Sequence, residues 1–542
     1  MKIKRAIISL VLLIFLFRCA IPPPHPPSTE KRLRPISKKI PEVRIGIAEE
    51  LESIQFKADG QIEIFDKNGL LAQQLSWREQ WEVKLTNTQP SIIKYRLRYK
   101  EVQDRKEADR ILEKLTDQDL PVIIERIKKR MFRETKLDWV TSYIIILEPE
   151  FETEEQAYKY QWRIRDKITT IALPFLKTPP TGNIILTNTE TGESYQSTGM
   201  LRIRADVFTL NLKTGEGFHF SNNETRKYHD QIDFIIDRFG KLTVINVLPL
   251  ETYLMGVVGS EMQEKFPIEA LKAQAITARS FSLARIGKQH LLSPFDLCDE
   301  VHCHVYGGID RESARVKKAV LETKGLILMY NNKICDTFYA GVCGGFTENN
   351  EYVWEGEPRV YLKGKLDADL NSFSNTFLQN EKNVRLWIES SPNVFCNTQK
   401  EPVPDYLKYT TKYFRWQVRY SQTEISNIIR KKTGENIGRL LKIIPVSRGV
   451  SGRLNEIKLE GTRKTITVEK QLSIRKALSE NYLYSSCFVV DRNGSYFIIK
   501  GAGWGHGVGM CQTGAAMMAL QGFGYREILS HYYQNTEIVK LY

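Results

Sequence analysis

The sequence predicts an α+β protein: a β-rich scaffold, a helical core in the second half, and a small α/β domain inserted into the scaffold. Three observations carry this. Short alternating apolar runs crowd residues 43–90 and return over 182–249. Strand–helix alternation fills 91–176 between them, and Leu250 to Lys288 reads as two helices meeting at a corner. At 542 residues and 42% hydrophobic, the chain has apolar content for several cores.

The first 20 residues, MKIKRAIISLVLLIFLFRCA, join a basic start (Lys2, Lys4, Arg5) to an apolar run from Ala6 to Phe17 that is short for a bilayer span. This is the layout of an export signal. Cys19 stands where a bacterial lipoprotein carries its acylated cysteine, although Leu16-Phe17-Arg18 departs from the small residues that precede such a site. A lipoprotein, an uncleaved N-terminal membrane anchor and a cleaved soluble protein all remain open, and each puts the body outside the cytoplasm, in the cell envelope. Residues 21–42 are proline-rich and basic, an extended spacer. The net charge of +14 is spread along the chain without a zinc-finger spacing or basic helix. That pattern suits anionic walls or lipid headgroups and excludes sequence-specific nucleic-acid reading. Eight scattered cysteines permit one or two disulfides and exclude a dense framework.

Within the scaffold, VRIGIA, SIQFKA, QIEIFD and WEVKL read as separate strands, with turns at Asp59-Gly60 and Asn68-Gly69. The insertion, 91–176, repeats a strand–helix unit, SIIKYRLRYKEVQDRKEADRILEKL and SYIIILEPEFETEEQAYKYQWRI, with PVIIERI as a strand between. After the scaffold resumes, the chain from 182 to 542 forms the main domain. An extra lobe is expected over 363–470, where composition is mixed.

At the helical corner, Leu250, Leu254, Val257, Val258 and Glu261 recur at helical spacing, so a carboxylate continues an apolar stripe. Pro267 and Glu269 open the second helix. Its Ala270, Ala273, Ala275 and Ala278 allow close approach, with Gln274 and Arg279 beside them. Two readings are open: a tight helix pair with polar edges, or one wall of a polar site. Farther on, glycines crowd 501–514 around His506, a loop that can approach a ligand closely but matches no phosphate-binding fingerprint. Cys511 with His506 would suit a thiol nucleophile, but no orienting acid is evident. Cys298, His302, Cys303 and His290 supply soft sulfur and imidazole ligands for zinc, with His304 as a substitute fourth ligand. A disulfide from Cys298 or Cys303 is the rival reading.

Three stretches, VINVLPLETYLMGVVGSEM with EALKAQAITARSF, AGVCGGFTENNEYVW, and GWGHGVGMCQTGAAMMALQG with ILSHYY, together resemble the sporulation stage II protein D / LytB (amidase enhancer) family of peptidoglycan enzymes. The resemblance implies a lytic transglycosylase that cuts between N-acetylmuramic acid and N-acetylglucosamine, leaves a 1,6-anhydro end, and prefers glycan stripped of peptides. Its catalytic acid carries over to Glu261, within Ser260-Glu261-Met262, making the helical core the catalytic one. Gln263 replaces the proline found in many members. A structural zinc on the Cys/His cluster and a cell-wall amidase as partner are further implications. The insertion is similar in pattern to a SPOR domain, a binder of denuded glycan.

Elementary chemistry is compatible with this. Hydrolytic glycosidases usually need two carboxylates. In a lytic reaction the sugar's own 6-hydroxyl replaces water, so one carboxyl, raised in pKa by desolvation, can serve first as acid and then as base. No metal is required. Gln274, Arg279, His506 and Gln512 are candidates for positioning substrate or stabilising developing charge.

Overall fold

A computed structural model of the protein describes residues 40–133, 136–214, 222–369, 378–400 and 402–542. The export-type segment, Cys19 and nearly all of the spacer lie outside the described residues.

The scaffold begins with β1 (Glu42–Leu51), β2 (Ser53–Asp66) and β3 (Gly69–Gln89). The insertion contributes β4 (Ile92–Val102), α1 (Arg105–Thr116), β5 (Val122–Arg133), β6 (Lys136–Leu147), α2 (Glu154–Ile164) and β7 (Ile171–Thr178). The scaffold then resumes with β8 (Thr181–Asn188), β9 (Ser194–Thr198), β10 (Met200–Thr214), β11 (Asn222–Ile236) and β12 (Leu242–Pro249). With β13 (Leu297–Cys298) these strands form one nine-stranded sheet in the order β13-β1-β12-β11-β10-β2-β3-β8-β9. Residues from both sides of the insertion, such as Ile45, Phe56, Phe208 and Phe234, share one core.

One local expectation is corrected. SIQFKA and QIEIFD are a single strand, β2, and Asp59-Gly60 lies inside it, where its pairing shifts register with β3 and with β10, rather than in a turn. Gly60 has φ +96°, and a Cβ there would collide with the Asp206 carboxylate, so a turn-forming residue is used to bend a long strand. Asn68-Gly69 does close a hairpin, with the Asp66 carboxylate accepting both backbone N–H groups.

The insertion is a four-stranded antiparallel sheet in the order β5-β6-β4-β7. This is a βαββαβ arrangement of ferredoxin-like type. Helices α1 and α2 carry N-caps from Asp104 and Thr153 and share an apolar core with the sheet through Ala108, Leu115 and Ala157. Residues of the sheet, including Arg96, Glu125 and Phe175, face Leu291–Pro294 of the main body across a cavity of ≈ 560 Å³.

Strand β12 runs straight into α3 (Leu250–Glu261), with Pro249 at its N-cap. Glu261 is its last residue, because Met262 is already extended (φ −135°, ψ 135°). Helix α4 (Ile268–Arg285) is buried on nearly every face, packed by α3, α5 (Ala314–Glu322) and the helix Gln512–Leu520. A helix apolar on all sides belongs inside a core. The chain continues through β14 (Leu326–Tyr330), β15 (Lys333–Ile334) and β16 (Tyr339–Ala340). Strand β16 pairs in parallel with Met510–Cys511, bringing the glycine-rich loop to this core.

The extra lobe has a core of its own, from Trp416 to Ile499, built on two three-stranded sheets. It extends past the expected limit at 470, because strand Tyr496–Ala502 pairs with Arg415–Ser421. The two partners are too far apart in sequence for local pattern to join them.

Candidate functional site

Glu261 stands at the C-terminal end of α3, where the helix stops and side chains from three other segments converge. Its Oε1 accepts a hydrogen bond from the Val305 N–H at 3.2 Å. The Tyr339 hydroxyl and the Gln512 side chain also lie beside the carboxyl and favour its charged form. The Gln512 amide donates to the Glu261 carbonyl at 3.2 Å and to Gln274 Oε1 at 3.4 Å. Burial raises the Glu261 pKa to about 7, and these contacts only partly oppose it. Glu261 as a whole residue is half-buried. A carboxyl that is about half protonated near neutrality can both give and take a proton.

Val305 is held by what precedes it. The segment from Leu297 to Gly308 wraps around α3: Gly307 N–H donates to Ser260 Oγ (3.1 Å), and the Tyr306 hydroxyl donates to Asn246 Oδ1 (2.8 Å). At its start, the ligand atoms of His290, Cys298, His302 and Cys303 lie within 4.8 Å of one another. His290 Nε2 is 3.3 Å from Cys303 Sγ, and His302 Nδ1 is 3.5 Å from Cys303 Sγ and 3.8 Å from Cys298 Sγ. In tetrahedral zinc with bonds of about 2.1 and 2.3 Å, nitrogen and sulfur ligands stand about 3.6 Å apart, so the donor set fits the ion in chemistry and spacing. Both cysteines are free thiols.

His304, the substitute ligand, is elsewhere. It is buried, its ring stacks with Tyr339 (centroids 5.9 Å, 11°), and Nδ1 meets the Tyr253 hydroxyl at 3.2 Å. Burial drives its pKa down to about 3, so it supports Tyr339 as a neutral ring.

The four positioning candidates separate. Gln512 touches Glu261, and Gln274, fully buried, reaches it through Gln512; the Gln274 amide nitrogen has no hydrogen-bond partner among the described residues. Arg279 does not join them. It is fully buried and paired with Glu251 (Nε–Oε1 3.0 Å, Nη2–Oε2 2.6 Å), and it donates to the Leu326 carbonyl at 3.0 Å. Glu251 also accepts from the Tyr542 hydroxyl (2.6 Å) and Gly325 N–H (3.1 Å). The guanidinium therefore ties α3, α4 and β14 together and has no donor to spare for substrate. His506 is likewise a framework residue: Nδ1 accepts from Val508 N–H at 3.0 Å, and the ring packs edge-on against Trp354 (4.8 Å). Burial lowers its pKa to about 3, so it brings no positive charge to a transition state. Cys511 is buried away from His506 contacts, in a different cluster.

Sequence reasoning missed Tyr339 and the Val305 N–H. Tyr339 stands one residue before the AGVCGG stretch, a signal that was available; a backbone N–H leaves none. Aromatic surface surrounds this region: Trp354 is stacked on Phe338 (4.1 Å) and Trp504 on Tyr413 (4.3 Å), with Trp504 packed over Gly341.

The helix end, the buried carboxyl and the thiol–imidazole cluster stand together in the stretch that runs from α3 to Gly308. Residues 238–330 match the Stage II sporulation protein family, and 348–509 match a domain of unknown function (DUF8618). An uncharacterized protein of Brachyspira hyodysenteriae is 30% identical over 60% of this chain and 76% of its own length. The Stage II sporulation protein D of Bacillus amyloliquefaciens is 28% identical over 54% of this chain and 74% of its own. The Amidase enhancer of Bacillus subtilis is 26% identical over 53% of this chain and 40% of its own. The chain belongs to the stage II sporulation protein D / LytB family, and this membership gives it a cell-wall-related role. Among the described residues, no helix is long and apolar enough to cross a membrane.

Proposed function

We propose that the protein is an exported peptidoglycan lytic transglycosylase with Glu261 as its single general acid and base. The observation that carries this reading is the Glu261 carboxyl, raised to about 7 by burial at the end of α3. Protonated Glu261 gives its proton to the glycosidic oxygen as the bond to the muramic acid anomeric carbon breaks. The carboxylate left behind takes the proton of that sugar's 6-hydroxyl as its oxygen bonds to the same carbon. The products are the released glycan and a 1,6-anhydro end, and Glu261 is again protonated. Val305 N–H, the Tyr339 hydroxyl and Gln512 stabilise the carboxylate stage without abolishing the acid. The stacked aromatics Trp354 and Trp504 suit sugar faces.

Within this reading, His290, Cys298, His302 and Cys303 hold a structural zinc, which would fix the loop two residues ahead of Val305. The βαββαβ insertion acts as a SPOR-like binder of denuded glycan, and the N-terminus ties the body to the membrane. The partner is a cell-wall amidase that strips the peptides. The name of the Bacillus subtilis relative favours a second reading, a non-catalytic wall protein that enhances an amidase. Digestion of purified peptidoglycan, intact and amidase-treated, separates the two. The enzyme produces anhydromuramic ends, with more from treated sacculi, and Glu261→Gln produces none. Their absence from both substrates, or equal yield from the variant, refutes catalysis.

A further inference from the structure

A second thiol cluster lies in the same half of the molecule, outside the site described so far. Cys343, Cys396 and Cys511 come from three segments distant in sequence, yet their sulfurs and an Asp367 carboxylate oxygen all lie within 4.8 Å of one another. All four residues are buried, Asp367 and Cys396 completely. Cys343 Sγ is 3.4 Å from Cys396 Sγ and 3.1 Å from Asp367 Oδ2. For tetrahedral zinc, sulfur ligands stand about 3.8 Å apart and sulfur and oxygen about 3.5 Å, so the cluster is a slightly contracted ligand shell.

The surroundings are those of a built site. Asp367 is oriented by the Tyr532 hydroxyl (2.7 Å to Oδ1) and the Cys396 N–H (3.2 Å to Oδ2), and His531 Nε2 lies 3.5 Å from Oδ1. Such outer partners fix a ligating carboxylate. The Cys511 sulfur accepts from Cys343 N–H (3.2 Å) and Gly514 N–H (3.4 Å) at the start of helix Gln512–Leu520, a position that favours a thiolate. Gly514 completes the cradle: a Cβ there would stand 2.1 Å from the Tyr532 hydroxyl and 2.8 Å from Asp367.

A disulfide is the competing use of two of these cysteines in an exported protein. Closing Cys343 to Cys396 brings the sulfurs from 3.4 Å to about 2.05 Å, leaves Cys511 as an unused buried thiol and removes the Cys343 thiol's hydrogen bond to Asp367. A divalent ion uses all four. We propose that Cys343, Cys396, Cys511 and Asp367 form a second structural zinc site, which clips the AGVCGG segment, the Asp367 and Cys396 loops and the start of helix Gln512–Leu520 into one unit. Gln512, adjacent to Cys511, is thereby held against Glu261.

The test is a metal count on the full chain, which is independent of the proposed reaction. Protein purified without chelator should carry two zinc ions per chain, both released when a mercurial blocks the thiols. Cys298→Ser with Cys303→Ser should leave one ion, and Cys343→Ser with Cys511→Ser should also leave one. If the second pair fails to fold, cobalt substitution of the parent still decides. Cobalt charge-transfer intensity should correspond to five thiolate bonds per chain, two from the first cluster and three from this one. The proposal is overturned if the parent's thiol-bound metal corresponds to two thiolates only, if zinc is equal in the parent and Cys343→Ser/Cys511→Ser, or if non-reducing peptide mapping finds Cys343 joined to Cys396.

Discussion

Replacing Glu261 by glutamine should change how stability depends on pH, apart from any effect on activity. The carboxyl titrates near 4.5 when exposed and at about 7 in the fold, a rise caused by burial. Between those values the unfolded chain has lost a proton that the folded chain keeps, so stability falls as pH rises through this window and levels off above about 7. At about 1.36 kcal/mol per pH step, the loss comes to at most about 3 kcal/mol. Glu261→Gln has no proton to lose. Its stability relative to the parent should therefore rise by up to about 3 kcal/mol between pH 4 and pH 8. Urea titrations at both pH values measure the difference, with hydrogen exchange of α3 identifying the transition that contains the site. A stability difference, variant minus parent, that is the same at both pH values or falls as pH rises refutes the buried-acid reasoning even if the variant is inactive.

Other outcomes follow from the same geometry. The cleavage rate should decline above about pH 7 as Glu261 loses the proton it must donate, and Tyr339→Phe should move that limb to higher pH, because the hydroxyl favours the carboxylate; a pH–rate profile reads both. Arg279→Ala should cost about 3–5 kcal/mol, since it leaves Glu251 buried without its cation, and a denaturation midpoint measures it. Cys298→Ser should lower zinc content by one ion and reduce turnover while leaving glycan binding intact; equal zinc in parent and variant removes the ligand assignment. Deleting residues 91–178 should weaken pull-down on denuded glycan and spare cleavage of soluble strands; unchanged pull-down removes the SPOR-like role.

How much was legible in the sequence depended on how local each signal was. The α3–α4 corner was readable because helical spacing and Pro267 are short-range features, and Glu261 stood out as a carboxylate on an apolar stripe. The cluster of His290, Cys298, His302 and Cys303 was visible because its ligands fall within 14 residues. Cys343, Cys396 and Cys511 carried no such pattern, since only the tertiary fold brings them together. Arg279 and His506 look the same in sequence whether they face a ligand or lock a framework. Burial and partners separate the cases: Glu251 neutralises Arg279, and Val508 N–H occupies the His506 ring. Asp59-Gly60 misled for a related reason, because a register shift within a strand and a turn make the same local demand on glycine.

The insertion leaves and rejoins the scaffold through a single doorway. Gln89 at the end of β3 pairs with Thr181 at the start of β8, and just beyond them Ile92 pairs with Thr178. Outgoing and returning chains are thus neighbours in the sheet, and every strand register on either side is set by residues outside the insertion. A domain at such a junction can be exchanged in evolution, or by design, without rethreading the fold. Because its sheet faces Leu291–Pro294 across the cavity, any replacement inherits a fixed position beside the loop that follows His290. The scaffold thus acts as a socket, and the domain seated in it can change at the doorway while Glu261 and its supports stay as they are.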